Sequence, residues 1–245
     1  MEWFEHWFGE EYLLVYDHRD IREAETESEA VIGVIGLGKG EVVLDLCCGS
    51  GRHTGPLVRQ GCRVWGLDYS STLLRQAQKN IPEHASYPRY VRGDVRRVPF
   101  RDRAFDAVLN MFTSFGYFSD EENEAMMGTI ARILRPKGRF FIDYLNPYRI
   151  VETLVPVTER ETNGLKIREE RFIDEGTKRV KKTIRLTDST STRTFYESVR
   201  LYTELELRDM IARAGMSVDG IAGSMNLSPY DESAERMIVW GTRVS

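Results

Sequence analysis

The chain has 245 residues, of which 41% are hydrophobic and 29% charged, and its formal net charge is −4. A chain of this length and composition can bury one large core, which excludes small disulfide scaffolds and disordered chains. The negative net charge disfavours a dedicated nucleic-acid binder, because phosphate backbones repel acidic surfaces.

Residues 1–40 are predicted to be helical. Aromatic side chains such as Trp3, Trp7 and Tyr12 recur at helical spacing, and a further amphipathic pattern extends to Ile35. The first 30 residues carry ten acidic side chains and two arginines, a local charge of about −8 that leaves about +4 for the remainder. We interpret this segment as a helical lid with a solvated acidic face.

From residue 41 onward the pattern alternates between strand and helix. Apolar runs predict strands at 42–46, 62–67, 90–91, 105–111 and 139–145. The helices predicted between them cover 56–60, 71–79 and 121–134. Ser70 or Ser71 can cap the second of these helices, and Pro136-Lys137-Gly138 is expected to end the third. This alternation predicts a parallel sheet with helices on both faces.

Residues 151–200 interrupt the alternation. Extended segments are predicted at 166–173, 179–186 and 193–201, separated by turn-forming sequences. They indicate an antiparallel β insertion. The α/β pattern then resumes, with a helix at 203–214 and two strands at 216–221 and 237–242.

The insertion contains a basic run from Lys178 to Arg185. Its period of two favours an exposed edge strand, where lysine discourages pairing with other chains. A surface that binds an acidic substrate or RNA is the alternative interpretation.

The most informative stretch follows the first predicted strand. Asp45-Leu46-Cys47-Cys48-Gly49-Ser50-Gly51 ends a strand in a Gly-x-Gly turn, which lets a ligand approach the backbone closely. A dinucleotide fingerprint has a third glycine where this chain has Thr54, so a pyrophosphate cofactor is disfavoured. Asp68 ends the second strand, where a carboxylate can accept both hydroxyls of a ribose. Asp94 ends the third strand and could accept a hydrogen bond from an adenine amine.

These elements, followed by Phe105-Asp106-x-Val108 and Leu134-Arg135-Pro136-Lys137-Gly138, resemble the class I S-adenosylmethionine-dependent methyltransferases. The resemblance covers roughly residues 40–145 and 203–243. It implies a Rossmann-like, mostly parallel sheet of seven strands, S-adenosylmethionine as cofactor and no metal. It also implies that the glycine turn holds the methionine moiety, Asp68 the ribose and Asp94 the adenine amine. The expected cofactor-binding residues are Asp45, Cys47, Gly49, Ser50, Gly51, Thr54, Asp68, Tyr69, Asp94, Val95, Asn110, Met111 and Phe112.

The resemblance also suggests a division of the chain. Residues 1–40 would form the lid, 41–150 and 201–245 the S-adenosylmethionine-binding Rossmann-like domain, and 151–200 the antiparallel insertion. The edges of the insertion offer a surface for homodimer formation.

The segments Cys48–Gly51 and Asn110–Tyr117 look closest to the methyltransferases that act on small molecules. That subgroup includes aminosugar N,N-dimethyltransferases and glycine N-methyltransferase-like enzymes, which often place a short antiparallel insertion after the fifth strand. Aminosugar enzymes have a histidine where this chain has Tyr117, so the acceptor is left open, although we expect it to be nitrogen. The alternatives are a tRNA or rRNA methyltransferase that uses the basic insertion, and a non-catalytic cofactor-binding module.

Methyl transfer from a sulfonium is an in-line displacement, so alignment and desolvation dominate the catalysis. An amine must reach the methyl group uncharged, and a tyrosine or histidine nearby could accept its proton. We predict Tyr16 and Tyr117 as catalytic residues, with His18 and His53 as weaker candidates.

The cellular compartment is inferred from the cysteines and the N-terminus. Cys47 and Cys48 are adjacent, which ordinary disulfide geometry resists, and the cysteine spacing matches no zinc site. The N-terminus lacks the basic region of a signal peptide, and the longest nearly apolar run, 30–38, is too short to span a bilayer. We therefore expect a cytoplasmic protein without a membrane span.

Overall fold

The computed structural model describes residues 2–16, 21–81, 85–162 and 164–244. The helices are α1 (Trp3–Trp7), α2 (Glu10–Val15), α3 (Ile21–Ile35), α4 (Thr54–Arg59), α5 (Ser71–Lys79), α6 (Asp120–Ile133), α7 (Pro147–Thr153) and α8 (Glu204–Arg213). The strands are β1 (Val42–Leu46), β2 (Arg63–Asp68), β3 (Arg89–Arg92), β4 (Phe105–Asn110), β5 (Leu134–Leu145), β6 (Val157–Thr162), β7 (Leu165–Asp174), β8 (Arg179–Thr187), β9 (Thr192–Arg200), β10 (Met216–Ala222) and β11 (Arg236–Arg243). No helix in these ranges is long and apolar enough to cross a membrane.

Seven strands of the described residues form the larger sheet, in the order β10-β11-β5-β4-β1-β2-β3. Strands β1 to β5 pair in parallel with one another, whereas β11 runs antiparallel to both β5 and β10. The predicted Rossmann-like, mostly parallel sheet is thereby confirmed. After β1 the chain first builds outward through β2 and β3, and then returns to place β4 on the other side. Ligands bind preferentially at such a reversal of strand order.

Helices cover both faces of this sheet because successive strand residues point to opposite faces. In β1, Leu44 and Leu46 pack in one apolar cluster with Met126 of α6. Val43, directly before Leu44, packs in a second cluster with Val31 of α3. A strand that is apolar on both faces is typical of the centre of a parallel sheet.

The smaller sheet is antiparallel, with the order β6-β7-β8-β9. The predicted insertion is thus confirmed as antiparallel, although the sequence patterns missed β6 and the preceding α7. The N-terminal helices pack against this sheet, where Trp7 and Val15 share an apolar cluster with Ile167, Ile184 and Leu186. The core of the insertion is therefore completed by side chains of α1 and α2.

The interpretation of Lys178–Arg185 as an exposed edge strand is wrong. β8 lies inside the smaller sheet, paired with β7 on one side and β9 on the other. Three of its basic side chains meet acidic neighbours across the strands: Arg185 pairs with Glu170, and Lys181 and Lys182 pair with Asp174 and Glu197, each at 2.6 Å. Opposite charges on neighbouring strands stabilise such a sheet.

The segment Pro136-Lys137-Gly138 lies within β5 and does not separate it from α6. β5 begins at Leu134, directly after the helix, and its register with β4 jumps from Leu134 to Arg139. Lys137 has a φ of 61°, in the left-handed region. The turn residues therefore form an irregularity inside the strand.

Candidate active site

A cavity of about 340 Å³ lies at the carboxyl ends of β1, β2, β3 and β4. This volume is typical of small-molecule sites. Its wall combines the loops after these strands, one face of α5 and aromatic side chains of the N-terminal helices. The lining residues that the sequence predicted are Tyr16, Asp45, Cys47, Gly49, Ser50, Asp68, Tyr69, Asp94, Val95, Met111, Phe112 and Tyr117.

The other three predicted cofactor-binding residues, Gly51, Thr54 and Asn110, lie behind the wall of the cavity. The Thr54 hydroxyl donates to the carbonyl oxygen of Gly51 at 2.8 Å and lies 2.5 Å from the hydroxyl of Tyr90. Asn110 donates from Nδ2 to the carbonyl oxygen of Leu46 at 3.1 Å. These side chains hold the glycine turn and the ends of β1 and β4 in place.

The glycine turn needs its glycines for conformation and for space. Gly49 and Gly51 have φ values of 54° and 75°, which side-chain-bearing residues rarely adopt. A Cβ atom at Gly51 would lie 2.3 Å from the hydroxyl oxygen of Tyr90. The turn is therefore packed against β3 from behind and open toward the cavity in front.

Asp68 is fixed by backbone amides of two different loops. Its Oδ2 accepts from the N–H of Gly49 and its Oδ1 from the N–H of Ser70, each at 2.8 Å. Burial raises the pKa of Asp68, and these N–H groups act in the opposite direction. The carboxylate thus ties the glycine turn to the end of β2 and faces the cavity at that junction.

Asp94 is held by an arginine that also reaches the N-terminus and α6. Arg96 donates from Nη2 to Asp94 Oδ2 at 2.7 Å, and from Nη1 to Glu2 at 3.0 Å and Glu122 at 2.9 Å. Burial opposes ionisation of Asp94, but the hydrogen bonds from Arg96 outweigh it, so the pKa of Asp94 is lowered. Asp94 therefore presents a fixed, ionised carboxylate at the cavity wall.

Asp45 is the most deeply buried carboxylate of the cavity. Asp45 is 1% exposed to solvent, and its Oδ2 has no hydrogen-bond partner among the described residues. Burial raises the pKa of Asp45 to about 6. Buried polar atoms in folded proteins are almost always paired, so this oxygen is suited to a ligand group that enters the cavity.

Five aromatic side chains cover the opposite side of the cavity, and we call them the aromatic roof: Phe4, Phe8, Tyr12, Tyr16 and Tyr117. Rings of the roof contact one another in several geometries: Phe8 meets Tyr12 edge to face at 5.0 Å between centroids and stacks on Tyr117 at 5.9 Å, and Tyr12 lies tilted against Tyr16 at 4.8 Å. Such contacts add stability beyond the burial of apolar area. The roof excludes water from that side of the cavity.

The N-terminal helices are attached to both sheets. On the side of the larger sheet, the Tyr69 hydroxyl donates to Glu5 at 3.0 Å. On the side of the smaller sheet, Trp7 Nε1 donates to Glu197 at 2.6 Å. The aromatic roof therefore bridges the two sheets.

The two predicted catalytic tyrosines occupy different electrostatic environments. Tyr16 donates from its hydroxyl to Glu197 at 3.0 Å and accepts from Lys182 Nζ at 2.6 Å. The Tyr117 hydroxyl has no hydrogen-bond partner within the described part of the chain, and burial raises the pKa of Tyr117 well above its usual value. Tyr117 thus stays a neutral phenol whose hydroxyl is available to a ligand.

His53, a weaker candidate, also lines the cavity. It is buried, and its Nε2 lies 2.6 Å from Glu27 Oε2 of α3. This pair links the N-terminal helices to the start of α4. The other weaker candidate, His18, lies outside the described residues.

Several lining residues were not predicted from the sequence. Leu73, Gln76 and Asn80 line the cavity from α5 and its C-terminal end. Their spacing of three and four residues places them on one helical face, a signal that was available in the sequence. Arg52 is a different case, because its guanidinium is placed by Glu23 and Glu27 of α3, which are distant in the chain.

The central part of the chain is similar in sequence to known proteins. Residues 43–138 match a family described as a methyltransferase domain. A demethylmenaquinone methyltransferase from Beutenbergia cavernae is 33% identical over 113 residues, which cover 46% of this chain and 44% of that protein. The match spans less than half the length of this relative. A cypemycin N-terminal methyltransferase from a Streptomyces species is 29% identical over 204 residues, 82% of each chain.

Solved structures share the fold over nearly the whole chain. The CcbJ methyltransferase from Streptomyces caelestis has a TM-score of 0.80 at 20% identity, covering 98% of this chain and 99% of that one. S-adenosylmethionine-bound CalS10 from Micromonospora echinaspora, an amino pentose methyltransferase, has a TM-score of 0.67 at 19% identity, covering 95% and 96%. The sugar N-methyltransferase KedS8 from a Streptoalloteichus species has a TM-score of 0.70 at 21% identity, covering 96% and 93%.

Proposed function

We propose that this chain is an S-adenosylmethionine-dependent methyltransferase that methylates a nitrogen atom of a small molecule. The match of residues 43–138 to a methyltransferase domain supports this proposal. The observation that carries the proposal is the junction of the glycine turn with Asp68 and Asp94 in one cavity beneath the aromatic roof. The turn and carboxylates suit an adenosine-containing cofactor, and the roof suits a small apolar or amine-bearing acceptor.

The residues of the cavity fit S-adenosylmethionine. The unpartnered oxygen of Asp45 offers an anionic partner to a cationic amino group. Asp68 would hold the ribose hydroxyls, Asp94 the adenine amine, and the turn at Gly49 and Ser50 the methionine moiety. When bound, the cofactor supplies a methyl group on a positively charged sulfur.

The roof residues would orient the acceptor and keep water away. Burial disfavours the charged form of an amine, so the apolar surroundings of Tyr117 favour the neutral nucleophile that the reaction needs. Because Tyr117 is itself neutral at physiological pH, its hydroxyl acts as a hydrogen-bond partner of the amine and not as a strong base. Tyr16, fixed by Lys182 and Glu197, would form the second side of the acceptor site.

Nitrogen is the accepting atom that the comparisons favour. KedS8 is described as a sugar N-methyltransferase, and the Streptomyces relative as an N-terminal methyltransferase of cypemycin. The neutral phenol of Tyr117 supports the same choice, since an alcohol acceptor would require a stronger base.

The division of the chain into lid, cofactor-binding domain and insertion is part of the proposal. Residues 1–40 would open for exchange of cofactor and acceptor, and their attachment through Glu5 and Trp7 would re-form on closure. Residues 151–200 would support the closed lid. A homodimer contact through the insertion, and a cytoplasmic location, are proposed from the sequence alone.

The RNA methyltransferase alternative has less support. Four of the five cations in its proposed surface, the basic run 178–185, are paired with carboxylates within the fold, as Arg185 is with Glu170. A phosphate-binding face needs unpaired cations that can replace the counterions of the nucleic acid. A non-catalytic module is disfavoured because a water-excluding roof benefits a reaction more than simple binding.

The cofactor site is tested by titration calorimetry with S-adenosylmethionine. We expect Asp68→Ala to weaken binding at least about 100-fold, because two charged hydrogen bonds are each worth about 1.5–3 kcal/mol. The exposed Asp102→Ala, remote from the cavity, is the control and should bind as the wild type does. Unchanged binding by Asp68→Ala would refute the site assignment.

A further inference from the structure

The loop that carries Tyr117 depends on a side chain outside the cavity. The residues between β4 and α6 form no regular secondary structure, so their backbone carbonyls must find partners elsewhere. Three successive carbonyls in this loop, those of Gly116, Tyr117 and Phe118, accept hydrogen bonds from Arg179 of β8. A side chain of the insertion thus contacts the backbone on both sides of the predicted catalytic residue.

The contacts of Arg179 use the whole guanidinium. Nη2 donates to the carbonyl oxygens of Gly116 and Tyr117, each at 2.8 Å, and Nη1 donates to that of Phe118 at 2.9 Å. Nε donates to the Ser198 hydroxyl of β9, also at 2.8 Å. Arg179 forms no ion pair with a carboxylate of the described residues. A half-buried cation held only by neutral oxygens fixes the geometry of its partners and forms no charge pair.

The loop is also constrained where it bends. Gly116 has a φ of 92°, and a Cβ atom there would lie 3.0 Å from the Tyr144 hydroxyl and 3.3 Å from the carbonyl oxygen of Arg200. The backbone N–H of Arg200 donates to the Gly116 carbonyl at 2.9 Å. Residues of β8 and β9 in the smaller sheet therefore both hydrogen-bond to the bend at Gly116.

We propose that Arg179 is the positioning residue of Tyr117, and that the insertion acts on the active site through this arginine. The planar fork of a guanidinium donates from separate nitrogens and can reach three neighbouring carbonyls at once, whereas the three N–H donors of a lysine ammonium all diverge from one nitrogen. The role of Tyr117 in methyl transfer rests on the proposed function. The positioning of its ring by Arg179 does not, and the two are tested by different measurements.

Trp3 provides a spectroscopic reporter, because its ring lies 5.1 Å from the ring of Tyr117. In protein labelled with 5-fluorotryptophan, the fluorine resonance of Trp3 is assigned with Trp3→Phe. We expect Arg179→Met and Arg179→Lys both to move or broaden this resonance by more than its line width. The resonances of Trp65 and Trp240, in β2 and β11, should stay in place.

Arg185→Met is the matched control, since Arg185 lies on the same strand and pairs with Glu170. It should leave the Trp3 resonance unchanged. If Arg179→Met does not fold, Ser198→Ala removes one partner of the guanidinium and should move the same resonance by a smaller amount.

Three results would overturn the proposal. The Trp3 resonance could stay in place in the folded variants, or Arg179→Lys could restore the wild-type spectrum, which would indicate that only the charge is needed. A loss of affinity for S-adenosylhomocysteine of more than about ten-fold in Arg179→Met would show that Arg179 supports the whole cavity. We expect that affinity to change by less than about two-fold. Failure of the wild type to bind S-adenosylhomocysteine would instead count against the proposed function.

Discussion

The buried carboxylate of Asp45 is expected to cost stability, and Asp45→Asn should recover it. The carboxylate is almost completely inaccessible to solvent, one of its oxygens has no hydrogen-bond partner in the described part of the chain, and burial raises its pKa from 3.8 to about 6. Asparagine has nearly the same shape but no charge. The substitution therefore isolates the electrostatic cost of the native residue.

The size and the sign of the effect follow from proton linkage. One pKa unit corresponds to about 1.4 kcal/mol, so the ionised carboxylate costs about 3 kcal/mol of unfolding free energy at neutral pH. Between about pH 4 and pH 6 the native state binds more protons than the unfolded chain, so this group lowers stability as pH rises through that window. Above about pH 6 the cost is constant. Asparagine does not titrate, so the advantage of the variant should grow by about 3 kcal/mol between pH 4 and pH 7.

Urea-induced unfolding, followed by circular dichroism across that pH range, measures this difference. Any effect of the amide on packing is independent of pH and cancels in the comparison. The exposed Asp102→Asn serves as control and should differ from the wild type by no more than about 0.5 kcal/mol at any pH. A stability difference for Asp45→Asn that does not change with pH would refute the reasoning.

Four further substitutions test the packing and the turn, all by the midpoint and slope of urea unfolding. Gly51→Ala should destabilise by about 1–3 kcal/mol, because its φ is 75° and its Cβ would meet Tyr90. Gly128→Ala, within α6 and with no atom within 4 Å of the added Cβ, should stabilise by about 0.5–1 kcal/mol. Phe115→Ala should cost about 3–5 kcal/mol, since the ring is fully buried. Thr203→Ala should cost about 0.5–2 kcal/mol by removing the cap of α8. A change in stability with the sign opposite to the one expected for any of the four, or equal effects of Gly51→Ala and Gly128→Ala, would contradict these contacts.

Features that depend on near neighbours in the chain were predictable from the sequence. Ser70 caps α5, and Thr203 with Glu206 forms the capping box of α8, both at the predicted places. The glycine turn and Asp68 were found because strand ends in a parallel sheet meet at one edge. In each case the signal lies within a few residues or within one regular βαβ unit.

Features that depend on distant pairs were not predictable. The basic residues of β8 give the pattern of an edge strand until their acidic partners on β7 and β9 are known, as with Arg185 and Glu170. Arg179 and Tyr117 are 62 residues apart, and His53 and Glu27 are 26 apart. A single sequence contains no local trace of such contacts. β6 was missed because it is a largely exposed strand with few apolar residues. It therefore lacks the alternating apolar pattern by which a strand is predicted.

The transfer of labelled methyl groups tests the proposed activity most directly. The protein is incubated with methyl-labelled S-adenosylmethionine and fractions of a small-molecule extract, and both labelled product and S-adenosylhomocysteine are quantified. We expect label in a low-mass amine, S-adenosylhomocysteine in equal amount, and neither with Asp68→Ala. Tight binding of S-adenosylmethionine without transfer to any fraction, or transfer to RNA in place of a small molecule, would contradict the proposed function.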